Sequence, residues 1–147
     1  MKQILIIFIL FITSCGFKPI YIKNDQLFKK FNKIILEGDS SVNKQIIDEL
    51  NLEINLASNE KLIIKTNYKL EATSKNSKGQ IETYRSIINS QLITKKDEEI
   101  LETKNFVAET SYNNKDNNFE LVKYQNEIKK NLTNKIVEEI ILFLNLK

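Results

Sequence analysis

Leu62-Ile63-Ile64-Lys65-Thr66-Asn67-Tyr68-Lys69-Leu70-Glu71-Ala72 is the stretch that decides the fold. Its even positions are Leu62, Ile64, Thr66, Tyr68, Leu70 and Ala72, whereas the odd positions from Lys65 are Lys65, Asn67, Lys69 and Glu71. Successive side chains of a strand point to opposite faces, so this alternation predicts a strand with one buried and one wet face. Such a strand needs neighbours and an apolar cover, and both follow. Ser77-Lys78-Gly79 supplies a turn, and a second strand is expected over 80–94, its even face mixing Tyr84, Ile88 and Leu92 with Ser86 and Ser90. Lys95 to Glu99 reads as a charged loop, and a third strand over 100–112 sets Phe106, Ala108, Thr110 and Tyr112 on one face. Short connections between consecutive strands predict an antiparallel meander.

Beyond the polar run Asn113 to Asn118, where Asn117 or Asn118 can serve as N-cap, the period becomes helical from Phe119 to Leu146. Ile128, Leu132, Ile136, Ile140 and Leu144 recur every four residues, widened by Val137, Ile141 and Phe143. At 1.5 Å per residue such a helix is about 40 Å long, enough to lie across a sheet. A coiled-coil seam or a membrane-surface helix would carry a similar stripe, but the one-faced sheet upstream needs a cover. On the other side of the deciding stretch, Ile34-Ile35-Leu36 centres a first strand over 33–37, which Gly38 ends. Asp39 or Ser40 can cap a helix over 41–52, in which Val42, Ile46, Leu50 and Ile54 recur every four residues beside Ile47. The order β-α-β-β-β-α predicts an α+β fold, a two-layer sandwich whose antiparallel sheet of about four strands is covered by two helices.

The N-terminus carries a different signal. Lys2, an apolar run from Ile4 to Ile12, and Ile12-Thr13-Ser14-Cys15 combine a positive n-region, an apolar h-region and small residues at a cut. The run is about half of the roughly 20 apolar residues that a spanning helix needs. An ordinary signal peptide with an incidental cysteine is the alternative. The motif resembles the bacterial lipobox, in which the peptidase cuts just before the cysteine and that cysteine takes the lipids. Cys15 is the only cysteine, so it has no disulfide partner within the chain, and lipidation gives it a role. One acyl chain holds a protein only marginally, whereas the two or three typical of bacterial lipoproteins anchor it stably. Residues 1–14 are therefore expected to be a signal peptide, 15–30 a lipidated tether with the sole proline, and 31–147 a single domain. Gly16 follows the cysteine, where Asp commonly signals retention at the inner membrane, so the outer membrane, periplasmic side, is expected.

Cleavage leaves about 133 residues, one domain's worth, and 41% hydrophobic with 28% charged residues is a globular composition, not a disordered one. The net charge of +3 is too small to argue for nucleic acid. The chain has no histidine, which removes His-dependent triads, and no cysteine left after lipidation for Cys/His zinc sites. Asp97-Glu98-Glu99 and Glu138-Glu139 read as solvated faces, and nothing places two acids in a pocket for glycoside cleavage. No enzyme, cofactor or metal is expected; a binding or assembly protein is.

Over nearly the whole chain the sequence resembles the lipopolysaccharide-assembly lipoprotein family, LptE. The resemblance is carried by Cys15-Gly16-Phe17-Lys18-Pro19-Ile20-Tyr21, by Asn43-Lys44-Gln45-Ile46-Ile47-Asp48-Glu49-Leu50, and by Thr83-Tyr84-Arg85. Thr110-Ser111-Tyr112-Asn113, then Asn118-Phe119-Glu120-Leu121 and the long helix, complete it. Tyr124 and Gln125 depart from the Ala-rich helix of many relatives, as do Lys or Asn at several family Arg positions. The resemblance implies a plug inside the wide β-barrel of LptD that helps that barrel fold and deliver lipopolysaccharide to the outer leaflet. It also implies contacts to lipid A phosphates from Lys78 and Lys123, with Arg85, the only arginine, as a third candidate. Two rival classes are an unrelated outer-membrane lipoprotein, such as a pilotin that escorts a secretin, and an anchored hydrolase of envelope glycans, which a cleft with paired carboxylates of raised pKa would reveal.

The N-terminal reading has a direct check. Intact mass spectrometry of the membrane-extracted protein is expected to show loss of Met1 to Ser14 and a gain of acyl mass on Cys15. A Cys15→Ser protein that is still cut there and stays membrane-bound would sink the lipobox reading.

Overall fold

The structure, a computed structural model, describes residues 31–145; the expected signal peptide, Cys15 and the expected tether lie outside the described residues. Six elements follow in the order β1 (Lys33–Gly38), α1 (Ser40–Leu50), β2 (Glu60–Lys75), β3 (Ile81–Lys96), β4 (Glu99–Asn113) and α2 (Asn118–Asn145). The four strands form one sheet in sequence order, β1-β2-β3-β4. Pairing of β2 with β3 and of β3 with β4 is antiparallel, as the short connections require. The first pair corrects the all-antiparallel expectation: β1 runs parallel to β2, with Ile34 opposite Leu62 and Leu36 opposite Ile64. Helix α1 carries the chain back along the sheet, so β2 begins beside the start of β1, the usual consequence of a helical crossover.

Local chemistry sets the boundaries. Gly38 has φ +95°, and a Cβ there would sit 1.8 Å from the Thr66 carbonyl oxygen, so only glycine fits. Asp39 caps α1, its Oδ1 accepting from the Val42 N–H at 2.9 Å. At the other end Asn51 turns left-handed and its N–H closes on the Ile47 carbonyl, so the helix stops at Leu50 instead of Leu52. Ile54 thereby leaves the expected stripe and is 62% exposed, bridging to Phe31 instead. The charged segment 95–99 is not a loop: only Asp97 and Glu98, both at positive φ, make the turn, and Lys95, Lys96 and Glu99 belong to the strands. Asn117 caps α2, accepting at its Oδ1 from the Phe119 and Glu120 N–H groups.

Both helices pack on the even face of the sheet. Leu62, Ile64, Ile88, Leu92, Phe106 and Ala108 meet Val42, Ile46 and Leu50 of α1 and the stripe Ile128, Leu132, Ile136, Ile140 and Leu144 of α2 in one core. Phe143 reaches back edge-on to Phe106 at 5.9 Å. Leu70 shares the parity of this face but is 41% exposed. Strand β1 ends opposite Thr66, so among the described residues β2 is an edge beyond that point, and Leu70 lies past the cover that α1 and α2 give.

The helices are also pinned to each other. The Lys129 ammonium donates to both Asp39 carboxylate oxygens, at 3.0 and 2.9 Å, and lies 4.7 Å over the Tyr68 ring. Burial works against the Asp39 charge, but the Val42 N–H, then Lys129, outweigh it and hold the carboxyl below its usual range. Gln45 of α1 donates to the Lys130 carbonyl and meets the Asn134 amide on α2. Buried Asn43 donates to the Glu37 carbonyl and accepts from the Thr66 hydroxyl, which ties α1 to β1 and β2.

Truncation should separate these environments. Ile136→Ala is expected to cost about 2–5 kcal/mol in chemical denaturation, whereas Leu70→Ala should stay within about 1 kcal/mol. An unchanged midpoint for Ile136→Ala would mean that α2 does not cover the sheet.

Candidate functional site

The hairpin between β2 and β3 and the segment between β4 and α2 meet at one end of the domain. In the hairpin, Asn76 Oδ1 accepts from the Lys78 and Gln80 N–H groups at 2.9 and 3.0 Å, and its Nδ2 donates to Gln80 Oε1. Gly79, at φ +79°, donates its N–H back to the Asn76 carbonyl. Opposite, the Asn114 N–H donates to the Glu82 carbonyl at 2.7 Å and its side chain to the Ile81 carbonyl at 2.8 Å. Between these walls opens a cleft of about 660 Å³, lined by Asn76, Gln80, Ile81, Glu82, Thr83, Asn113, Asn114, Lys115, Asp116 and Asn118.

On the core face of the same end, tyrosines gather under the start of α2. The buried Ser86 hydroxyl joins the Tyr68 and Tyr112 hydroxyls at 3.1 and 3.2 Å. Tyr84 stacks on Tyr112 at 5.9 Å, and Tyr124 meets it edge-on at 5.5 Å. The Lys115 ammonium lies 4.9 Å over the Tyr124 ring. Burial pushes the Tyr112 phenol above its usual pKa, and its hydrogen bonds to Ser86 and Gln125 offset only part of that. Tyr124 and Gln125 thus both serve this cluster.

The odd face of the sheet carries neither helix. Lys65, Asn67, Asn89, Gln91, Asn105 and Val107 line a shallow groove of about 400 Å³ that reaches this face. Cross-strand rows run Glu71–Arg85–Ser111 and Lys33–Lys61–Lys95. Glu98 bridges to Lys61, and Lys61, with smaller help from Lys95 and Lys33, holds its carboxyl below the usual value. Glu71 is held down by Lys69 first and more weakly by Arg85.

The three expected ligand contacts separate. Lys78 is exposed in the hairpin turn and Lys123 is exposed early in α2, so both belong to the same end of the domain. Arg85 lies on the odd face, across the sheet from α2, and its Nε donates to Ser111 Oγ at 3.4 Å. Lys115, which the sequence reading passed over, joins the hairpin end; its only signal was the polar run between the last strand and helix. Among the described residues, no group of three or more acids, histidines or cysteines is placed to hold a metal, and no helix is long and apolar enough to cross a membrane.

In sequence, the chain matches no family profile and no curated protein. In structure it is similar to several bacterial lipoproteins. The rare lipoprotein B of Shewanella oneidensis superposes with a TM-score of 0.62 at 12% identity, over 78% of this chain and 94% of that one. A minor lipoprotein of Acinetobacter baumannii gives 0.55 at 13% identity, covering 78% and 90%. Lipoprotein B of Nitrosomonas europaea gives 0.58 at 9% identity, covering 76% and 80%. At these identities what is shared is the fold, and it covers between 80% and 94% of each of these relatives.

The tyrosine cluster has a pH signature. Tyr112 titrates higher in the folded chain than in the unfolded one, so its contribution is complete below the unfolded pKa of about 10 and falls as pH rises from there through the folded value. Denaturation midpoints measured from pH 8 to 11 are expected to drop, and Tyr112→Phe should flatten that drop. An equally steep fall in the variant would show that Tyr112 is not its source.

Proposed function

We propose that this chain is a non-catalytic outer-membrane lipoprotein, anchored through Cys15 on the periplasmic side, that plugs and helps assemble an LptD-like β-barrel for lipopolysaccharide transport. The observation that carries the reading is the shared fold: the domain matches rare lipoprotein B across 94% of that chain. The lipobox-like Ile12-Thr13-Ser14-Cys15 and the LptE-like motifs along the sequence support it independently.

The architecture suits the task. A wide barrel has a polar interior that without filling is a water-filled channel. A domain that buries one sheet face under its own helices, and on the other presents Asn67, Asn89, Gln91 and Asn105 beside the apolar row Ile35–Ile63–Ile93, can meet such a wall largely through polar groups. In this reading Lys78 and Lys123, at one end of the domain, meet the phosphates of lipid A as charge-assisted donors. Arg85, on the odd face, is better placed for the barrel wall.

Affinity purification of the acylated protein from detergent-extracted membranes, with mass spectrometry of what accompanies it, is the test. A one-to-one complex with an LptD-like barrel is expected, and depletion of this chain should lower the amount of assembled barrel. Lys78→Glu with Lys123→Glu should weaken lipopolysaccharide binding while leaving the barrel complex intact, and less so at high salt. Recovery of a secretin in place of that barrel would turn the reading to a pilotin.

A further inference from the structure

We propose that the cleft between the β2–β3 hairpin and the β4–α2 segment binds an uncharged glycan, reading sugar hydroxyls and not phosphates. This goes beyond the barrel reading and stands without it.

The argument begins with which polar groups are already used. Asn76 spends its amide on the hairpin turn, and the Asn114 side chain holds its segment to Ile81 and Lys115. Both walls are therefore fixed before any ligand arrives, which lowers the ordering cost of binding. The side chains of Asn113, Asn118, Glu82 and Asp116, which also line the cleft, make no hydrogen bond among the described residues. A carboxamide presents a donor and an acceptor side by side, and a carboxylate accepts at two oxygens. Adjacent hydroxyls of a sugar ring, each both donor and acceptor, complement that pattern.

Charge then selects among polar ligands. Glu82 and Asp116 place two carboxylates in the lining against a single cation, Lys115, whose ammonium lies over the Tyr124 ring. A phosphate would meet net repulsion there, and Lys78 is not part of the lining. An acyl chain is disfavoured for the opposite reason, since Ile81 is the only large apolar side chain among the lining residues. The cleft volume of about 660 Å³ lies within the range of pockets that hold small molecules, about 300–1,000 Å³. What fits is a neutral, polyhydroxylated segment. In a cell envelope two sources offer that chemistry: the neutral hexoses of the lipopolysaccharide core and the N-acetylglucosamine rings of the wall glycan.

The test uses the acylated mature protein in detergent micelles, titrated with two uncharged probes: a dephosphorylated core oligosaccharide from which the acidic sugars have been removed, and the disaccharide of N-acetylglucosamine. One of them is expected to shift the backbone and side-chain amide resonances of residues 76–83 and 113–118, and which one does so identifies the source. Asn113→Ala with Asn118→Ala should weaken that binding at least about tenfold, two hydrogen bonds being worth a few-fold each. Glu82→Gln offers a second reading, a several-fold change, should the double variant fail to fold. Lys78→Glu should leave the glycan affinity unchanged. The proposal is overturned if neither probe moves those resonances, if both cleft variants bind like the parent, or if inorganic phosphate occupies the cleft more tightly than either sugar.

Discussion

Everything in this domain follows from a sheet that is covered on one face only. Helices α1 and α2 bury the even face, where the apolar side chains of β2, β3 and β4 converge, and neither helix lies on the odd one. The point that ties this arrangement together is Asp39. It follows Gly38 at the end of β1, caps α1, holds Lys129 of α2, and through Lys129 reaches the ring of Tyr68 on β2. Helices on one side of a sheet must be kept from sliding, since apolar contacts alone are non-directional. The charged bonds at Asp39 and the amide contacts of Gln45 supply that direction.

The one-sided cover also divides the work along the molecule. Toward the turn between β3 and β4 the core is largely apolar, with Phe31, Leu92, Phe106, Ile136 and Ile140 in one cluster. Toward the hairpin it changes to tyrosine and serine hydroxyls that bond one another beneath the start of α2. Beyond that polar core lies the amide-lined cleft, and around it stand Lys78, Lys115 and Lys123. A hydrogen-bonded interior positions its neighbours more strictly than a greasy one, because its bonds depend on direction. In the proposed function the hairpin end meets the ligand and the odd face lies against the barrel.

Much of the fold was legible because it is written in short-range periods. The alternation around Leu62 to Tyr68 and the four-residue spacing from Ile128 to Leu144 both appear as read, and the caps at Asp39 and Asn117 stand where their side chains predict. The misses share one cause. Leu70 alternates correctly yet is exposed, because burial depends on how far β1 and α1 extend, which no local pattern states. Ile54 keeps the helical spacing of Val42 and Leu50 but falls past Asn51, whose left-handed turn ends the helix first. Asp97 and Glu98 looked like the middle of a loop, whereas they are the whole turn.

By itself, then, the sequence determined the element order, the parity of the core-facing residues of β2, β3 and β4, and the apolar stripe of the long helix. These depend on side-chain chemistry within a few residues of one another. Only the tertiary structure decided that β1 joins the sheet in parallel, that Lys129 finds Asp39, and that Tyr124 and Gln125 serve Tyr112. It also decided that Asn76 and Asn118, 42 positions apart, face one cleft while Arg85 stands on the other side of the sheet. Each of these is a meeting of residues distant in the chain. Which distant residues meet is set by packing the helices over a twisted sheet, a global balance of burial and chain entropy that no local period encodes.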